Sequence, residues 1–355
     1  MQFRSRLLAV WFIPTAAIAV SLMLLAAQVS NILVGALLIV AVIAVVHAIQ
    51  VTHETIRLDF MFAGALPSQT IEQIAHNPAL LKLDGESREV TYLSCGVRGL
   101  ENLAATFRND PSAFTRLMNC VLAPLMEQVQ NRQGTIDRLT ADGFVAFWNA
   151  PLDDSEHAAH ACEAATAMSE ALANINKANA QERRNDGSAF PHVEIGIGIA
   201  TGPAIAGAIV TPGRTIYGVN GDCTALAQRI QSLSSQYGPT VIVSEGTRKA
   251  AEKGFAFLEV DYVADSAHPT PVTLYAMLGN PMMRASPKFR ALMAFHEHIF
   301  RSLRTRQWDK ARGLIEQCRK LSGASQKLYD LHLARIAQLE KNPPGDQWDG
   351  AFRIR

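Results

Sequence analysis

The residues whose side chains are most clearly suited to chemistry lie between positions 134 and 148, in the stretch GTIDRLTADGFVAFW. Asp142 and Gly143 separate two runs that are rich in β-branched and apolar residues, and an Asp-Gly pair in this setting is a strong hairpin signal. The pattern predicts a type I′ turn with the carboxylate of Asp142 at its tip. Carboxylates are ligands for hard divalent cations, but aspartate is also a good turn former. Both interpretations stay open from these residues alone.

Other residue types that bind metals or phosphates lack the partners they need. Two histidine pairs lie close enough in sequence to share a helix face: His157 with His160, and His296 with His298. A zinc site needs at least a third protein ligand, and none is evident, so we interpret these histidines as parts of solvated helix faces. Glycines at positions 196, 198 and 202 are spaced like part of a dinucleotide-binding loop, but no helix opens directly after them.

The composition limits the kinds of partner. The chain has 355 residues, with 33 Lys and Arg against 32 Asp and Glu, so its formal net charge is +1. This balance gives no reason to expect a nucleic-acid partner or electrostatic steering. The five cysteines are scattered without paired spacing, which favours reduced thiols in a cytosolic domain over a disulfide or zinc framework.

The N-terminal part is the most hydrophobic. Neither residues 7–29 nor residues 32–51 contain an Asp, Glu, Lys or Arg. Each run has about 20 residues, enough to span the hydrocarbon core of a bilayer as a helix. Arg4 and Arg6 precede the first run and Arg57 follows the second, so the positive-inside rule places both chain ends in the cytoplasm. We expect a two-span anchor in the inner (plasma) membrane; the alternative is a cleaved signal peptide.

The pattern divides the chain into four parts. We expect a transmembrane helical hairpin at 1–52, juxtamembrane coupling helices at 53–86, an α/β module at 87–279 and a helical tail at 280–355. In the module, strand-like runs alternate with long amphipathic helices. The alternative for the segment 53–86 is a plain juxtamembrane linker. In the tail, the stretch around Trp308 resembles the start of a tetratricopeptide helix, and so short an array must pack on the module or on a partner.

Several motifs occur along the module in a fixed order, at residues 97–99, 134–138, 146–151, 196–203, 217–229 and 243–247. Together they resemble class III adenylate and guanylate cyclases of the bacterial membrane-bound subgroup. The resemblance implies an α+β, ferredoxin-like cyclase module whose sheet contains antiparallel strands and is covered by helices. It also implies ATP or GTP as the nucleotide and Mg²⁺ or Mn²⁺ if the chain is active. Because the family's sites form between two protomers, it implies a homodimer or a heterodimer with another cyclase-family chain.

The resemblance also assigns family roles to single positions. The two metal-binding aspartates of the family correspond to Gly96 and Asp142, so one of the two carboxylates is absent. The positions that read the base and orient the ribose all carry substitutions: Arg138, Gly218 and Ala225. The arginine that stabilises the transition state is kept as Arg229, in line with the role of cations in phosphoryl transfer. From the residues alone, Arg229 can equally form a salt bridge on an amphipathic helix.

Three functions stay open. The first is a membrane-anchored, catalytically impaired pseudocyclase of cyclic-nucleotide signalling that acts as a regulatory or heterodimer partner. The second is an active adenylate cyclase that converts ATP to cAMP and diphosphate with altered residues. The third is a membrane-tethered interaction protein that works through its helical tail. We expect the first, because the loss at Gly96 leaves half of the protein charge of a two-metal site.

Overall fold

The computed structural model describes residues 18, 20–21, 31–62, 65–184, 187–211, 214–264, 270–322 and 326–353. These residues fall into two compact units. The N-terminal unit extends to residue 64 and includes residues 68–81, and the second unit comprises residues 65–67 and the chain from residue 82 onward. The first predicted membrane span, at residues 7–29, lies outside the described residues except for positions 18, 20 and 21.

The N-terminal unit is built on one long helix, α1 (Asn31–Phe62), followed by α2 (Ser68–His76) and a 3₁₀ turn (Pro78–Leu80). Within α1, the segment Ala36–Leu58 has a mean hydropathy of 2.2, and its residues are exposed or half-buried except for Leu58, which is buried. In the described part of the chain, this is the one helix long and apolar enough to cross a membrane. At about 1.5 Å per residue, α1 is about 48 Å long and exceeds the hydrocarbon thickness of a bilayer. It also continues past residue 52, the predicted boundary of the membrane hairpin.

The second unit contains the predicted alternation of strands and helices. Its strands are β1 (Glu86–Val97), β2 (Thr135–Leu139), β3 (Gly143–Trp148), β4 (Ile195–Thr211), β5 (Arg214–Asn220), β6 (Val241–Ser244), β7 (Ala256–Ala264), β8 (Val272–Gly279) and β9 (Phe352–Arg353). Its helices are α3 (Leu100–Ala105), α4 (Pro111–Gln130), α5 (His157–Gln181), α6 (Asp222–Tyr237), α7 (Glu245–Ala250), α8 (Pro281–Ala285), α9 (Pro287–Arg304), α10 (Trp308–Ser322) and α11 (Gln326–Lys341).

The strands form one mixed sheet in the order β2-β3-β1-β4-β6-β8-β7-β9, with β5 paired to the outer part of β4. The central strand β1 is antiparallel to β3 and β4, and the β4–β6 pair is parallel. Gly96 on β1 lies opposite Gly143 on β3 and opposite Gly196 on β4. This register brings the end of β1 beside the β2–β3 hairpin, where the family positions 96 and 142 were expected to meet.

The two faces of the sheet are packed differently. On one face, apolar side chains such as Leu93 and Ile197 form the main core with helices α4 and α5. On the other face, α6 lies directly against glycines. A Cβ at Gly198 would lie 2.2 Å from the carbonyl oxygen of Ala227, and a Cβ at Gly196 would lie 2.1 Å from Ser234 Oγ. Glycines 196 and 198 therefore allow a close helix-to-sheet approach and do not open a dinucleotide loop.

Gly202 and Gly207 lie within β4, which continues to Thr211 and pairs with β5. One expectation about glycines needs correction. The β2–β3 connection is not a type I′ turn, because neither Asp142 nor Gly143 has a positive φ. Glycine is required at 143 for a different reason: a Cβ there would lie 2.0 Å from the carbonyl oxygen of Cys95 on β1.

The C-terminal tail is helical and contains α9, α10 and α11, with the short helix α8 before them. It packs on the edge of the sheet at β7. Strand β9 runs parallel to β7, with Phe352 opposite Val263. Buried residues of the tail include Phe300 and Ile336. The tail thus shares its core with the module.

Candidate functional site

The end of β1 and the β2–β3 hairpin are joined through the backbone at the candidate metal positions. The amide of Val97 donates to the carbonyl oxygen of Asp142 at 2.8 Å. The side chain of Asp142 is exposed, and its Oδ1 accepts a hydrogen bond from Thr140 Oγ1 at 2.6 Å. The structure therefore brings Gly96 and Asp142 together. The carboxylate of Asp142 is bonded within the β2–β3 connection, to Thr140.

The space above Gly96 is filled by a side chain from α6. A Cβ on Gly96 would lie 2.5 Å from Nε2 and 3.1 Å from Cδ of Gln231. The amide of Gln231 therefore occupies the volume into which a side chain at position 96 would project. Because this amide is the end of a flexible side chain, a larger residue at 96 requires a rotamer change of Gln231 and no shift of the backbone.

These donors do not fit a pair of divalent ions. Hard cations such as Mg²⁺ and Mn²⁺ are held mainly by carboxylate and other oxygen ligands. Here Gly96 has no side chain, Gln231 places an amide over it, and Asp142 is bonded to Thr140. Among the residues that the structure describes, no group of three or more His, Cys, Asp or Glu side chains is arranged to hold a metal.

The expected base-reading positions lie near a polar cluster that includes Asp137. A Cβ on Gly218 would lie 3.3 Å from Asp137 Oδ1, while Tyr92 donates its hydroxyl to Asp137 Oδ2 at 2.6 Å. Burial and the nearby carboxylate raise the pKa of Tyr92 far above its usual range, which keeps the phenol a hydrogen-bond donor. Arg138, the next residue along β2, is exposed. Asp137, and not Arg138, is therefore the residue beside Gly218.

The remaining two positions are on α6. Ala225 is exposed and Arg229 is half-buried, and their spacing of four residues places them on one helix face. The helix begins at Asp222, and its C-terminal end is bound by Arg98. The guanidinium of Arg98 donates to the carbonyl oxygens of Ser234, Gly238 and Pro239, at 3.1, 3.0 and 2.6 Å.

Sequence reasoning did not identify Gln231 or Asp137. Gln231 follows buried Ile230, and the helical period alone does not show that it reaches β1. Asp137 lies where the β2–β3 register shifts between Ile136 and Arg138. Such bulges change the direction of a side chain, and no residue type in this stretch marks one.

The two histidines of each pair lie in different surroundings. His157 is bonded to Thr91 Oγ1 at 2.7 Å, and His160 is bonded to Asp154 at 2.8 Å. His296 is buried while His298 is exposed. The expectation that these residues form only solvated helix faces is wrong for His157 and His296, which are both buried and hydrogen-bonded. All five cysteines are free.

A mixed sheet with α4 and α5 on one face, α6 on the other and a hairpin acid beside β1 defines a nucleotide-cyclase-like module. The chain belongs to the adenylate and guanylate cyclase family, because residues 84–277, more than half of it, match the adenylate and guanylate cyclase catalytic domain. It is therefore an adenylate/guanylate cyclase-family protein of cyclic-nucleotide signalling.

Relatives and a solved structure agree with this assignment. "Adenylate cyclase 1" of Rhizobium meliloti (strain 1021) is 29% identical over 153 residues, which cover 43% of this chain and 22% of that protein. An adenylate cyclase of Anabaena cylindrica is 27% identical over 184 residues, which cover 52% and 34%. The matches thus cover no more than about a third of these relatives. The crystal structure of the guanylyl cyclase Cya2 superposes with a TM-score of 0.50 at 26% identity, covering 55% of this chain and 94% of that one.

Proposed function

We propose that this chain is a membrane-anchored cyclase-family protein with little or no turnover, which regulates a complete cyclase in a heterodimer. The observation that carries the proposal is position 96, where the family's first metal carboxylate is expected. Gly96 supplies no ligand, and the amide of Gln231 takes the space instead. The one matching acid, Asp142, is exposed and bonded to Thr140.

Other substitutions support the same conclusion. Gly218 and Ala225 cannot form side-chain hydrogen bonds to a base or a ribose. Loss of one preorganised polar group typically lowers a rate by about 10²–10³. Effects within one site do not add simply, but the loss of a metal ligand together with two nucleotide contacts leaves little catalysis.

The first experiment measures turnover and binding by the full-length chain in lipid nanodiscs, with ATP or GTP and manganese. We expect no product above background and no manganese-dependent nucleotide binding by calorimetry. Product that disappears in Asp142→Ala, but persists in the exposed-acid control Glu101→Ala, would favour the active cyclase instead. The variant Gly96→Asp with Gln231→Ala restores the carboxylate and frees its space, and we expect it to gain manganese binding.

The second experiment tests the regulatory role. In the family's arrangement, one protomer supplies the carboxylates and the other supplies the arginine. A heterodimer therefore has one site in which this chain lends Arg229 and a reciprocal site that Gly96 leaves defective. Titrating a complete cyclase of the family with this chain should change the turnover of that cyclase. The variant Arg229→Ala should still associate with that cyclase but should not support its turnover. If the wild-type chain and the variant have identical effects, the proposal is contradicted.

The membrane anchor is part of the proposal. The apolar segment Ala36–Leu58 supports at least one span, and we propose a second span at residues 7–29 with both ends in the cytoplasm. Carbonate extraction of cell membranes should leave the chain in the pellet. Sequencing of the mature N-terminus distinguishes the anchor from a signal peptide, which would remove residues before about position 30.

The interaction-protein alternative receives less support. A tail that recruits partners by itself would be expected to fold apart from the module, whereas α9 and α11 are packed on β7 through buried residues. The structure of the tail instead favours a role inside the cyclase module.

A further inference from the structure

Two buried histidines attach the tail to consecutive residues of β7. His296 on α9 donates from Nδ1 to the carbonyl oxygen of Glu259 at 2.7 Å, and its Nε2 accepts from the hydroxyl of Tyr329 at 3.0 Å. His332 on α11 donates from Nε2 to the carbonyl oxygen of Val260 at 2.9 Å. Because carbonyl oxygens can only accept, these bonds fix which nitrogen of each ring carries the proton. The tail is thereby held to the strand by directional bonds as well as by apolar packing.

The next residue of β7 connects the tail to α6. Asp261 is fully buried, and its Oδ2 accepts from both Arg335 of α11 and Tyr237 of α6, each at 2.6 Å. The guanidinium of Arg335 also lies 4.3 Å from the centre of the Phe352 ring on β9. One carboxylate oxygen therefore joins the last residue of α6 to α11 of the tail, whose Arg335 also contacts β9.

Contacts at the C-terminal end of α6 help to fix the position of the helix on the sheet. Helices are usually fixed on their neighbours by side-chain ridges that fit into grooves. Opposite α6, the sheet presents Gly96, Gly196 and Gly198, which offer no side chains to fix the rotation or sliding of the helix. The contacts of Arg98 and Tyr237 at the C-terminal end of the helix therefore contribute to this task, together with buried side chains such as Ile230 and Leu233.

We propose that the tail, residues 281–353, clamps α6 through the shared carboxylate of Asp261. The clamp holds Gln231 over Gly96 and sets the position of Arg229, which lies two turns before Tyr237. A displacement of the tail would shift α6 and both of these side chains. The clamp itself does not depend on turnover; only its effect on a partner cyclase rests on the proposed function.

The test is hydrogen–deuterium exchange of the full-length chain in nanodiscs, without nucleotide. The variant Tyr237→Phe removes one hydrogen bond and keeps the buried ring, and Arg335→Met removes the ion pair and keeps the length of the side chain. Because hydrogen bonds to charged groups are among the stronger ones, we expect exchange in residues 222–237 to rise about tenfold or more in each variant. The matched control, Arg319→Met, removes two ion pairs of the same tail, which half-buried Arg319 forms with exposed Glu316 and Asp330, and should leave α6 unchanged.

Two results would overturn the clamp. In the first, Tyr237→Phe leaves the exchange of α6 at the wild-type rate. In the second, exchange rises equally in α4, α5 and α6, which reports general destabilisation. Tyr237→Phe keeps the test decisive even if Arg335→Met does not fold. Because no nucleotide is present, the result is independent of whether the chain is a pseudocyclase.

Discussion

His296 should make the stability of the protein depend on pH in a way that can be measured separately from other groups. Its side chain is 2% exposed. Burial lowers its pKa to about 4, an effect that its bond to the carbonyl of Glu259 only partly offsets. The native protein therefore keeps this ring neutral, while the unfolded chain takes up a proton below about pH 6.5. Since the unfolded state then binds more protons, the free energy of unfolding decreases as the pH falls.

The size of the effect follows from the two pKa values. One pH unit corresponds to about 1.4 kcal/mol, so the interval between about 6.5 and about 4 amounts to about 3 kcal/mol. The contribution is fully present above pH 6.5 and is lost progressively down to about pH 4. His332, whose pKa burial also lowers, titrates in the same direction and is left unchanged in the comparison.

The assay is urea unfolding of the full-length chain in detergent micelles, followed by tryptophan fluorescence at several pH values from about 7.5 to about 4. The variant His296→Gln keeps a donor and an acceptor but cannot be protonated. Relative to this variant, the wild type should lose about 3 kcal/mol over the range. His298→Gln, which alters an exposed histidine of the same helix, should follow the wild type. If wild type and His296→Gln lose stability in parallel, the buried neutral state of His296 is wrong.

Two further predictions test the packing. Gly143→Ala should lower the free energy of unfolding by about 2 kcal/mol or more, because the added Cβ would meet the backbone of β1. Gly313→Ala, in an open position of α10, should instead raise the free energy of unfolding by up to about 1 kcal/mol. Urea unfolding of the two variants compares these effects. Equal effects would contradict the close contact described for Gly143. Cys120 is the exposed thiol and the other four are buried, so the native chain should react rapidly with one equivalent of a maleimide. Cys120→Ser should abolish the rapid phase, and a second rapid thiol would contradict the described packing.

Local pattern was sufficient to predict much of the fold. The spacing of apolar residues predicted alternating strands and amphipathic helices in residues 87–279 and a helical tail after them, because a helix that buries one face must repeat its apolar positions every three or four residues. The ordered motifs, together with Asp142 and Gly143, indicated the family and the hairpin beside β1. The same pattern predicted the wrong turn type, because a glycine required for close contact with another strand resembles one required for a positive φ.

The tertiary structure decided which distant residues meet. Sequence periodicity shows which face of a helix is buried, but not which side chain of another segment lies opposite. For this reason the sequence could not predict that the amide of Gln231 lies over Gly96 or that Asp137 lies beside Gly218. It also could not predict that Asp261 accepts hydrogen bonds from two different helices. Each depends on segments that are distant in the chain, the shortest separation being the 24 residues between Tyr237 and Asp261. The sequence by itself indicated the elements and showed that position 96 carries no side chain, whereas the packing of α6 on the sheet decided that the amide of Gln231 lies there.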